Sequence, residues 1–252
     1  MWHDGPVSRA CHVGELDTAA LAMNDARAED PRMIILAETQ KSSAPTVRAV
    51  APTDIRRVVL LNHAAYPDLI GDNIVLTEAQ IQSHLDVFPE GQRIAELGGV
   101  AVGAISTFIV SPTINPMRLH TWLEITDEGY FRNHDMSGDT LYLADIFVDP
   151  AAWGFGVGGA LYAELRNVCQ RFGLRRIVAG GRLFSYHEHA HEMTPATYIE
   201  EVTARRIHDR VLRSQLKAGF VVRGILPEYL ADRRSRNFAT LLEWRNPSFS
   251  AR

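Results

Sequence analysis

The sequence predicts an α/β protein with a sheet of about seven strands and helices packed against it. Short stretches of apolar or alternating residues, typical of strands, are interleaved with longer stretches whose apolar residues recur at helical spacing. The strongest strand signal is the nearly continuous apolar run at 141–148, which a glycine-rich loop and an amphipathic segment follow directly. A further signal is Gly98-Gly99, a two-residue turn that is typical of a hairpin.

The other elements follow from the same periodicities and from their boundary residues. Strands are expected at 46–50, 93–97, 100–110, 141–148, 175–179, 220–225 and 238–244. Helices are expected to begin behind a capping side chain, a proline or the glycine loop, namely at Ile55, near Thr77, at Ala160, at Thr194 and at Asp209. Residues 111–139 are rich in Pro, Asn, Asp and Gly, which predicts irregular structure.

The composition is that of an ordinary globular protein. The chain has 252 residues, of which 46% are hydrophobic and 22% charged, enough for one large domain. A net charge of -4 disfavours a dedicated nucleic-acid binder, and no apolar run approaches the ~20 residues of a membrane span. Only Cys11 and Cys169 are present, and the N-terminus shows no secretory signal pattern, so we expect a cytoplasmic protein.

The first 45 residues differ from the rest of the chain. Acidic residues exceed basic ones there, large apolar residues are few, and the segment ends in a linker-like run at 40–45. We interpret 1–45 as a flexible tail that could form one short helix, 46–245 as the folded domain and 246–252 as a C-terminal tail.

The glycine loop is the most informative motif, and it reads Gly154-Phe155-Gly156-Val157-Gly158-Gly159. Glycines at the start of a helix let the backbone amides approach a ligand closely, which predicts an anion site. An NTPase phosphate loop would end in Gly-Lys-Ser/Thr, whereas Gly159 is followed by Ala160-Leu161. The spacing Gly-x-Gly-x-x-Gly also fits a dinucleotide loop, but no Asp or Glu stands about 20 residues further on, which disfavours nicotinamide and flavin cofactors.

A third interpretation rests on the longer motif Val148-Asp149-Pro150-x-x-Trp153-Gly154-Phe155-Gly156-Val157-Gly158. It resembles the acetyl-CoA loop of the GNAT N-acetyltransferase superfamily, Val-x-Pro-x-x-Arg/Gln-x-x-Gly-x-Gly/Ala. The order of elements over 46–245 and the Gly219-Phe220 pair before the last strands resemble the same superfamily. More narrowly, the following segments resemble the GNAT domain that is fused to nitrilase-type carbon-nitrogen hydrolases: 120–122, 138–142, 179–183, 186–187 and 241–247.

The resemblance implies a GNAT-like acyl-CoA N-acyltransferase fold with a mixed, mostly antiparallel sheet, and acetyl-CoA as the co-substrate. It also implies that CoA contacts the end of the central strand and the glycine loop, at Ile146, Phe147, Val148, Trp153, Gly154, Phe155, Gly156, Val157, Gly158 and Gly159. Two positions depart from the family. Trp153 replaces the Arg or Gln that contacts the CoA phosphates, and Gln215 replaces a Tyr that protonates the leaving thiolate in many members.

Acetyl transfer requires an amine without its proton, donors for the oxyanion and a proton for the departing sulfur. Asp145 interrupts the central apolar strand, where a buried carboxylate is costly unless it is partnered. It is a candidate general base or amine ligand, and a purely structural carboxylate is the alternative. Tyr186 and His187 are candidate proton donors, with Tyr142 and His120 as further options.

The predicted function is direct transfer of an acetyl group from acetyl-CoA to a primary amine of a small molecule or peptide. Because of Gln215 and Trp153, an acyl-CoA-binding module without transferase activity is the alternative. The run 187–191 matches His-Glu-x-x-His, but Pro195 follows closely and no clear third ligand does, so no metal is expected. Nucleic acid and membranes are not expected partners. A homodimer and, by analogy with the fused relatives, a nitrilase-type hydrolase are the protein partners that this interpretation allows.

Overall fold

The structure is a computed structural model in which residues 44–69 and 75–250 are described. Most of the predicted tail 1–45 lies outside the described residues. Seven strands form one sheet in the order β1-β2-β3-β4-β5-β7-β6. Their bounds are Thr46–Ala49 (β1), Arg93–Leu97 (β2), Val100–Val110 (β3), Thr140–Val148 (β4), Arg176–Arg182 (β5), Val221–Leu226 (β6) and Ala239–Arg245 (β7). Neighbours are antiparallel except β4 and β5, which are parallel, so the predicted mixed, mostly antiparallel sheet is confirmed.

The described residues also form six α-helices. They are Ile55–Ala65 (α1), Glu78–Val87 (α2), Trp122–Thr126 (α3), Val157–Arg171 (α4), Pro195–Thr203 (α5) and Arg210–Lys217 (α6). The expected capping side chains are in place: Thr77 accepts a hydrogen bond from the Gln80 amide, and Asp209 accepts one from the Leu212 amide. Local sequence therefore determines where these helices begin.

Two helices differ from the prediction. α4 begins at Val157 rather than at Ala160, because Gly156 adopts a left-handed conformation (φ 80°) as its N-cap residue and the following glycines are helical. α3 lies inside the stretch 111–139 that was expected to be irregular. A capping box between Thr121 and Glu124 starts this short helix, and that local signal outweighs the loop-like composition around it.

The helices cover both faces of the sheet. Val58 of α1 and Ile81 of α2 join Phe108 and Tyr142 of the sheet in one buried cluster. α4 buries its own apolar stripe against β2, β3 and β4, with Leu165 fully enclosed. Both faces of the central strands are thus apolar, as their continuous hydrophobic sequence predicts. Within the described ranges, no helix is both long and apolar enough to cross a membrane.

β4 and β5 separate halfway along their length. Their ladder runs only from the pair Thr140↔Arg176 to the pair Leu143↔Ala179, although both strands continue beyond it. A register shift between β3 and β4 leaves Ala144 as an extra residue in β4, and such a bulge bends the strand that carries it. The carboxyl-terminal halves of the two parallel strands therefore diverge and leave a wedge in the middle of the sheet.

Candidate active site

A cavity of about 610 Å³ lies in this wedge, a size typical of small-molecule sites. α1 lines one wall of it, and the glycine loop, α4 and α6 line the other. The predicted site residues that line it are Asp145, Ile146, Phe147, Val148, Trp153, Gly154, Gly156, Val157, Gly158 and Gly159. Phe155, which is 39% exposed, does not line it.

Asp145 lies on the bulged half of β4 and is held by side chains from α1. Tyr66 donates from Oη to Asp145 Oδ1, and Asn62 donates from Nδ2 to Oδ2, each at 2.7 Å. Asn62 is oriented in turn, because its Oδ1 accepts a hydrogen bond of 2.9 Å from the Leu76 amide. The half-buried carboxylate is therefore fixed in place and still accessible from the cavity.

Burial raises the pKa of Asp145 to about 6. Hydrogen bonds from Tyr66 and Asn62 and the charge of Arg182 lower the pKa, but they offset only part of the burial effect. Arg182 is itself paired with Asp68 at 2.8 Å and with Asp232 at 2.9 Å. At neutral pH the carboxylate is mostly ionised, and its pKa lies close enough to neutrality for it to take up and release a proton.

The glycine loop presents an open surface to the cavity. Gly154 and Gly156 have φ values of +89° and +80°, conformations that favour glycine. Apart from its chain neighbours and the backbone of the helix itself, a Cβ atom placed on Gly154, Gly156, Gly158 or Gly159 would meet no protein atom within 4 Å. Since the 15-residue helix α4 also begins here, without a side-chain cap, its positive end faces this open space. The loop therefore fits a phosphate-bearing ligand.

Trp153 lies beside the loop, and the guanidinium of Arg210 packs on its ring. Its Nε1 donates to the Val148 carbonyl at 3.1 Å, which fixes the half-exposed indole. The Arg210 guanidinium lies 3.9 Å from the centroid of the Trp153 ring and 4.8 Å from that of Phe184. Arg234 lies on the same Phe184 ring at 4.0 Å. In the described part of the chain, no carboxylate oxygen comes within 4.0 Å of Arg210.

Gln215 lines the same wall of the cavity from α6. Its side chain is buried, and among the described residues its Oε1 has no hydrogen-bond partner. It packs directly against β5, because a Cβ on Gly181 would lie 2.4 Å from Oε1. A buried amide with an unused oxygen is suited to contact a polar group of a ligand, but it cannot supply an acidic proton.

Tyr186 and His187 do not lie in the cavity. Tyr186 donates from Oη to the Met193 carbonyl at 3.0 Å, and its ring packs near that of Tyr198. His187 Nδ1 lies 3.2 Å from the Arg234 carbonyl oxygen. The structure does not bring either residue together with Asp145, and their role as proton donors stays a prediction.

The other two candidates, Tyr142 and His120, belong to a chain of hydrogen bonds whose third member, Tyr229, was not predicted from the sequence. Tyr142 Oη lies 2.8 Å from His120 Nε2 and 3.0 Å from Tyr229 Oη. Tyr229 follows β6 and lines the cavity. The sequence signal for Tyr229 is Gly180, a glycine inside β5, because such a glycine often marks the close approach of another group. In the structure a Cβ on Gly180 would lie 2.1 Å from Tyr229 Cζ.

The histidines of the His-Glu-x-x-His match are apart from this site. His191 Nε2 lies 3.2 Å from Glu192, and His187 lies 3.8 Å from Glu188. Across residues 44–69 and 75–250, no group of three or more His, Cys, Asp or Glu side chains is arranged to hold a metal ion.

Known proteins resemble the chain in sequence. The sequence model of the family described as "Acetyltransferase (GNAT) family" matches residues 72–193. The "Uncharacterized N-acetyltransferase YkwB" of Bacillus subtilis is 34% identical over 212 residues, which cover 82% of this chain and 91% of YkwB. The chain belongs to the GNAT acetyltransferase family. This GNAT protein is also 35% identical over 204 residues to the "Probable hydrolase YhcX" of Bacillus subtilis, of which it spans 39%.

A solved GNAT structure supports the fold. The loading GNATL domain of CurA from Lyngbya majuscula superposes with a TM-score of 0.68 at 22% identity, covering 81% of this chain and 98% of that domain. The GNAT-like fold predicted from the sequence is therefore confirmed. Members of the GNAT family use acyl-CoA.

Proposed function

We propose that this GNAT protein transfers an acetyl group from acetyl-CoA directly to a primary amine, with Asp145 as the general base. The observation that carries the proposal is that a partnered carboxylate with a pKa of about 6 faces the same cavity as the open glycine loop. The carboxylate can take up the proton of an amine, and the glycine loop can hold the phosphates of CoA. A structural carboxylate would need no access to that cavity.

Bound acetyl-CoA supplies the acetyl group as a thioester. Asp145 accepts a proton from the ammonium group of the acceptor, so that the nitrogen lone pair becomes free to attack the thioester carbonyl. The backbone of Ile146 and Val148, at the end of β4, remains the predicted contact for the carbonyl oxygen and the pantetheine arm. When the carbon-sulfur bond breaks, the thiolate needs a proton, which the Gln215 amide cannot supply.

Arg210 is the side chain that we assign to the CoA phosphates. Trp153 occupies the position of the arginine or glutamine of the family motif, and Arg210 lies 3.9 Å from its ring centroid. In this arrangement a positive charge stands beside the glycine loop although the motif itself lacks one. Because Arg210 has no carboxylate partner in the described part of the chain, a phosphate would be its first strong one.

The acceptor is proposed to carry its amine on an apolar group. Apolar side chains from several elements line the cavity, namely Ala65 of α1, Leu69, Trp122 of α3 and Leu230. Such a lining favours an apolar substituent, while Asp145 attracts the ammonium group. An aromatic or aliphatic primary amine is therefore the first acceptor class to test.

The test combines binding and turnover. Thermal unfolding is followed against acetyl-CoA, with NADH as control, and thiol release from acetyl-CoA is then measured with a panel of aromatic, aliphatic and peptide amines. At 100 Kd a ligand stabilises by about 2.7 kcal/mol, which corresponds to roughly 5 to 10 °C for a domain of this size. Saturable stabilisation by acetyl-CoA together with amine-dependent thiol release supports the proposal.

The same experiment tests the alternative that Gln215 motivates, an acyl-CoA-binding module without transferase activity. Stabilisation by acetyl-CoA without thiol release from any amine would favour that module. The absence of stabilisation at millimolar acetyl-CoA would contradict both proposals.

A further inference from the structure

We propose that Tyr229, Tyr142 and His120 form a proton relay between the cavity and the protein surface. The proposal rests on the function proposed above and adds to it the path by which a proton leaves the site. It concerns side chains other than those that hold Asp145.

The three side chains span the distance from the cavity to the exterior. Tyr229 lines the cavity, Tyr142 is fully enclosed, and His120 is partly exposed. The two links measure 3.0 Å between the hydroxyl oxygens and 2.8 Å between Tyr142 Oη and His120 Nε2. Both are ordinary hydrogen-bond lengths, so a proton can pass along bonds that already exist.

The histidine fixes the direction of the chain. His120 Nδ1 lies 2.8 Å from the Arg118 carbonyl oxygen, which can only accept, so Nδ1 carries the hydrogen. In the neutral ring Nε2 is then an acceptor, and Tyr142 donates to it. Because Tyr142 has a single hydroxyl proton, its oxygen must accept from Tyr229. Tyr229 therefore does not donate to the cavity. Its oxygen also has a hydrogen bond with the Gly180 backbone, and we assign its remaining lone pair to the cavity.

This arrangement takes up a proton from the cavity side. When Tyr229 Oη accepts a proton from the acceptor nitrogen, the original Tyr229 proton moves to Tyr142 Oη and the Tyr142 proton moves to His120 Nε2. The imidazolium then releases its Nδ1 proton to water at the partly exposed side of the ring. Exchange with solvent moves the remaining ring hydrogen from Nε2 back to Nδ1, and rotation of the two hydroxyl groups restores the starting arrangement. Only O–H and N–H bonds form and break, and the number of protons in the chain is restored.

The proposed reaction requires such an exit. An ammonium nitrogen loses two protons when it becomes a secondary amide, while the sulfur of CoA gains one, so one proton must leave per turnover. Asp145 can take one proton and return it to the sulfur, which suits a site where Gln215 replaces the tyrosine acid. The relay takes the other proton.

The surroundings of His120 favour its neutral form at rest. Burial lowers its pKa, and the Arg118 carbonyl and the Glu124 carboxylate raise the pKa only in part. The titratable groups that face the ring are Tyr142 from β4, Tyr229 from the segment after β6 and Glu124 from α3. Burial raises the pKa values of both tyrosines, so they pass protons without remaining ionised.

The first arm of the test measures turnover with the most reactive amine of the panel. Tyr142→Phe and Tyr229→Phe interrupt the chain without removing a ring, and we expect kcat to fall about tenfold or more while the KM for acetyl-CoA is unchanged. Tyr198→Phe is the matched control, since it removes a buried hydroxyl that binds Asp209 at 2.8 Å outside the relay. Wild-type kcat in Tyr142→Phe would overturn the relay.

A rescue experiment separates proton transfer from structural support. His120→Ala should lose turnover and regain it in millimolar imidazole, because a free base can enter from the surface and accept from Tyr142. The double variant His120→Ala/Tyr142→Phe should show no rescue. Rescue of the double variant to the same degree would overturn the proposal.

The second arm needs no turnover. Nitrogen NMR of the wild-type protein above pH 8 should show neutral His120 with its hydrogen on Nδ1, the less common form in free histidine. A hydrogen on Nε2 would overturn the relay even if an amine were acetylated. Failure of the proposed function is recognised separately, by the absence of thiol release from wild-type protein with every amine.

Discussion

The two walls of the wedge differ in whether their polar side chains have hydrogen-bond or ion-pair partners. On the α1 wall, Asp145 receives hydrogen bonds from Tyr66 and Asn62, and Asn62 is oriented by a backbone amide. On the α6 wall, Arg210 has no carboxylate partner and Gln215 Oε1 has no hydrogen-bond partner among the described residues. The wall proposed to carry the chemistry is thus preorganised, whereas the wall proposed to hold CoA gains its polar partners on binding.

The largest effect is expected from a change on the preorganised wall. Asp145→Asn keeps the size of the side chain but removes the base, so kcat should fall about 10²- to 10⁴-fold while acetyl-CoA binding is retained. Steady-state kinetics and calorimetry measure the two quantities. Asp139→Asn, an exposed carboxylate in a surface ion pair with Arg175, is the control that should leave both unchanged. Equal losses of turnover and binding would favour a structural role for Asp145.

The same carboxylate predicts a pH dependence. Below about pH 6, kcat/KM should fall about tenfold for each pH unit, because Asp145 becomes protonated. Stability should change in the opposite sense: a raised carboxyl pKa contributes stability that is present below its usual value of 3.8 and is lost as the pH rises through about 6. Relative to Asp145→Asn, the wild-type free energy of unfolding should fall by up to about 3 kcal/mol between pH 4 and pH 7. Parallel denaturation curves at all pH values would contradict the raised pKa.

On the opposite wall, Arg210→Ala should weaken acetyl-CoA binding about tenfold and leave kcat at saturation nearly unchanged, as for the loss of a charge-assisted contact. Arg206→Ala is the control, because Arg206 is an exposed arginine that is already paired with Glu201. Isothermal titration with acetyl-CoA and its 3'-dephospho analogue identifies the phosphate: loss of the effect with the analogue assigns the contact to the 3'-phosphate. Unchanged affinity in Arg210→Ala would remove Arg210 from the site.

The smallest effect is expected from a substitution in the glycine loop itself. Gly158 lies in the first turn of α4 without a positive φ. Apart from its chain neighbours and the helix backbone, a Cβ there would meet no protein atom within 4 Å. Gly158→Ala should therefore raise the free energy of unfolding by about 0.5–1 kcal/mol, yet weaken acetyl-CoA binding several-fold, because the methyl group enters the phosphate space. Thermal unfolding with and without acetyl-CoA measures both effects. Unchanged affinity would place the phosphates elsewhere.

Sequence predicted the features that depend on neighbouring residues. The glycine loop, the strand before it and the capped starts of α2 and α6 all show local patterns, and the structure has them where they were expected. Asp145 could be selected because a charged residue in an apolar strand is conspicuous. Its partners were not predicted, since Tyr66 and Asn62 lie 79 and 83 residues away and pair with it only through the fold.

The missed parts of the site have the same cause. Tyr186 and His187 follow β5 closely in sequence, but the turn after β5 directs them away from the wedge, and Tyr229 takes a place beside Asp145 from much further along the chain. Arg210 was one of several late arginines, and nothing in the sequence separated it from Arg213 or Arg206. In the structure Arg210 is distinguished from them by its guanidinium, which lies on the rings of Trp153 and Phe184.

The separation of β4 and β5 gives the sheet an internal edge. Beyond Leu143 and Ala179, each strand has a hydrogen-bonded neighbour on one side only. An outer edge of this kind invites association with other chains, whereas an edge enclosed within one domain is reachable only by a slender ligand. A chain with amide groups, such as the pantetheine arm, can add to this edge as an extra strand would. Bound CoA would then act as part of the sheet, and its removal should speed amide hydrogen exchange at 145–148 and 180–182 more than elsewhere in these strands.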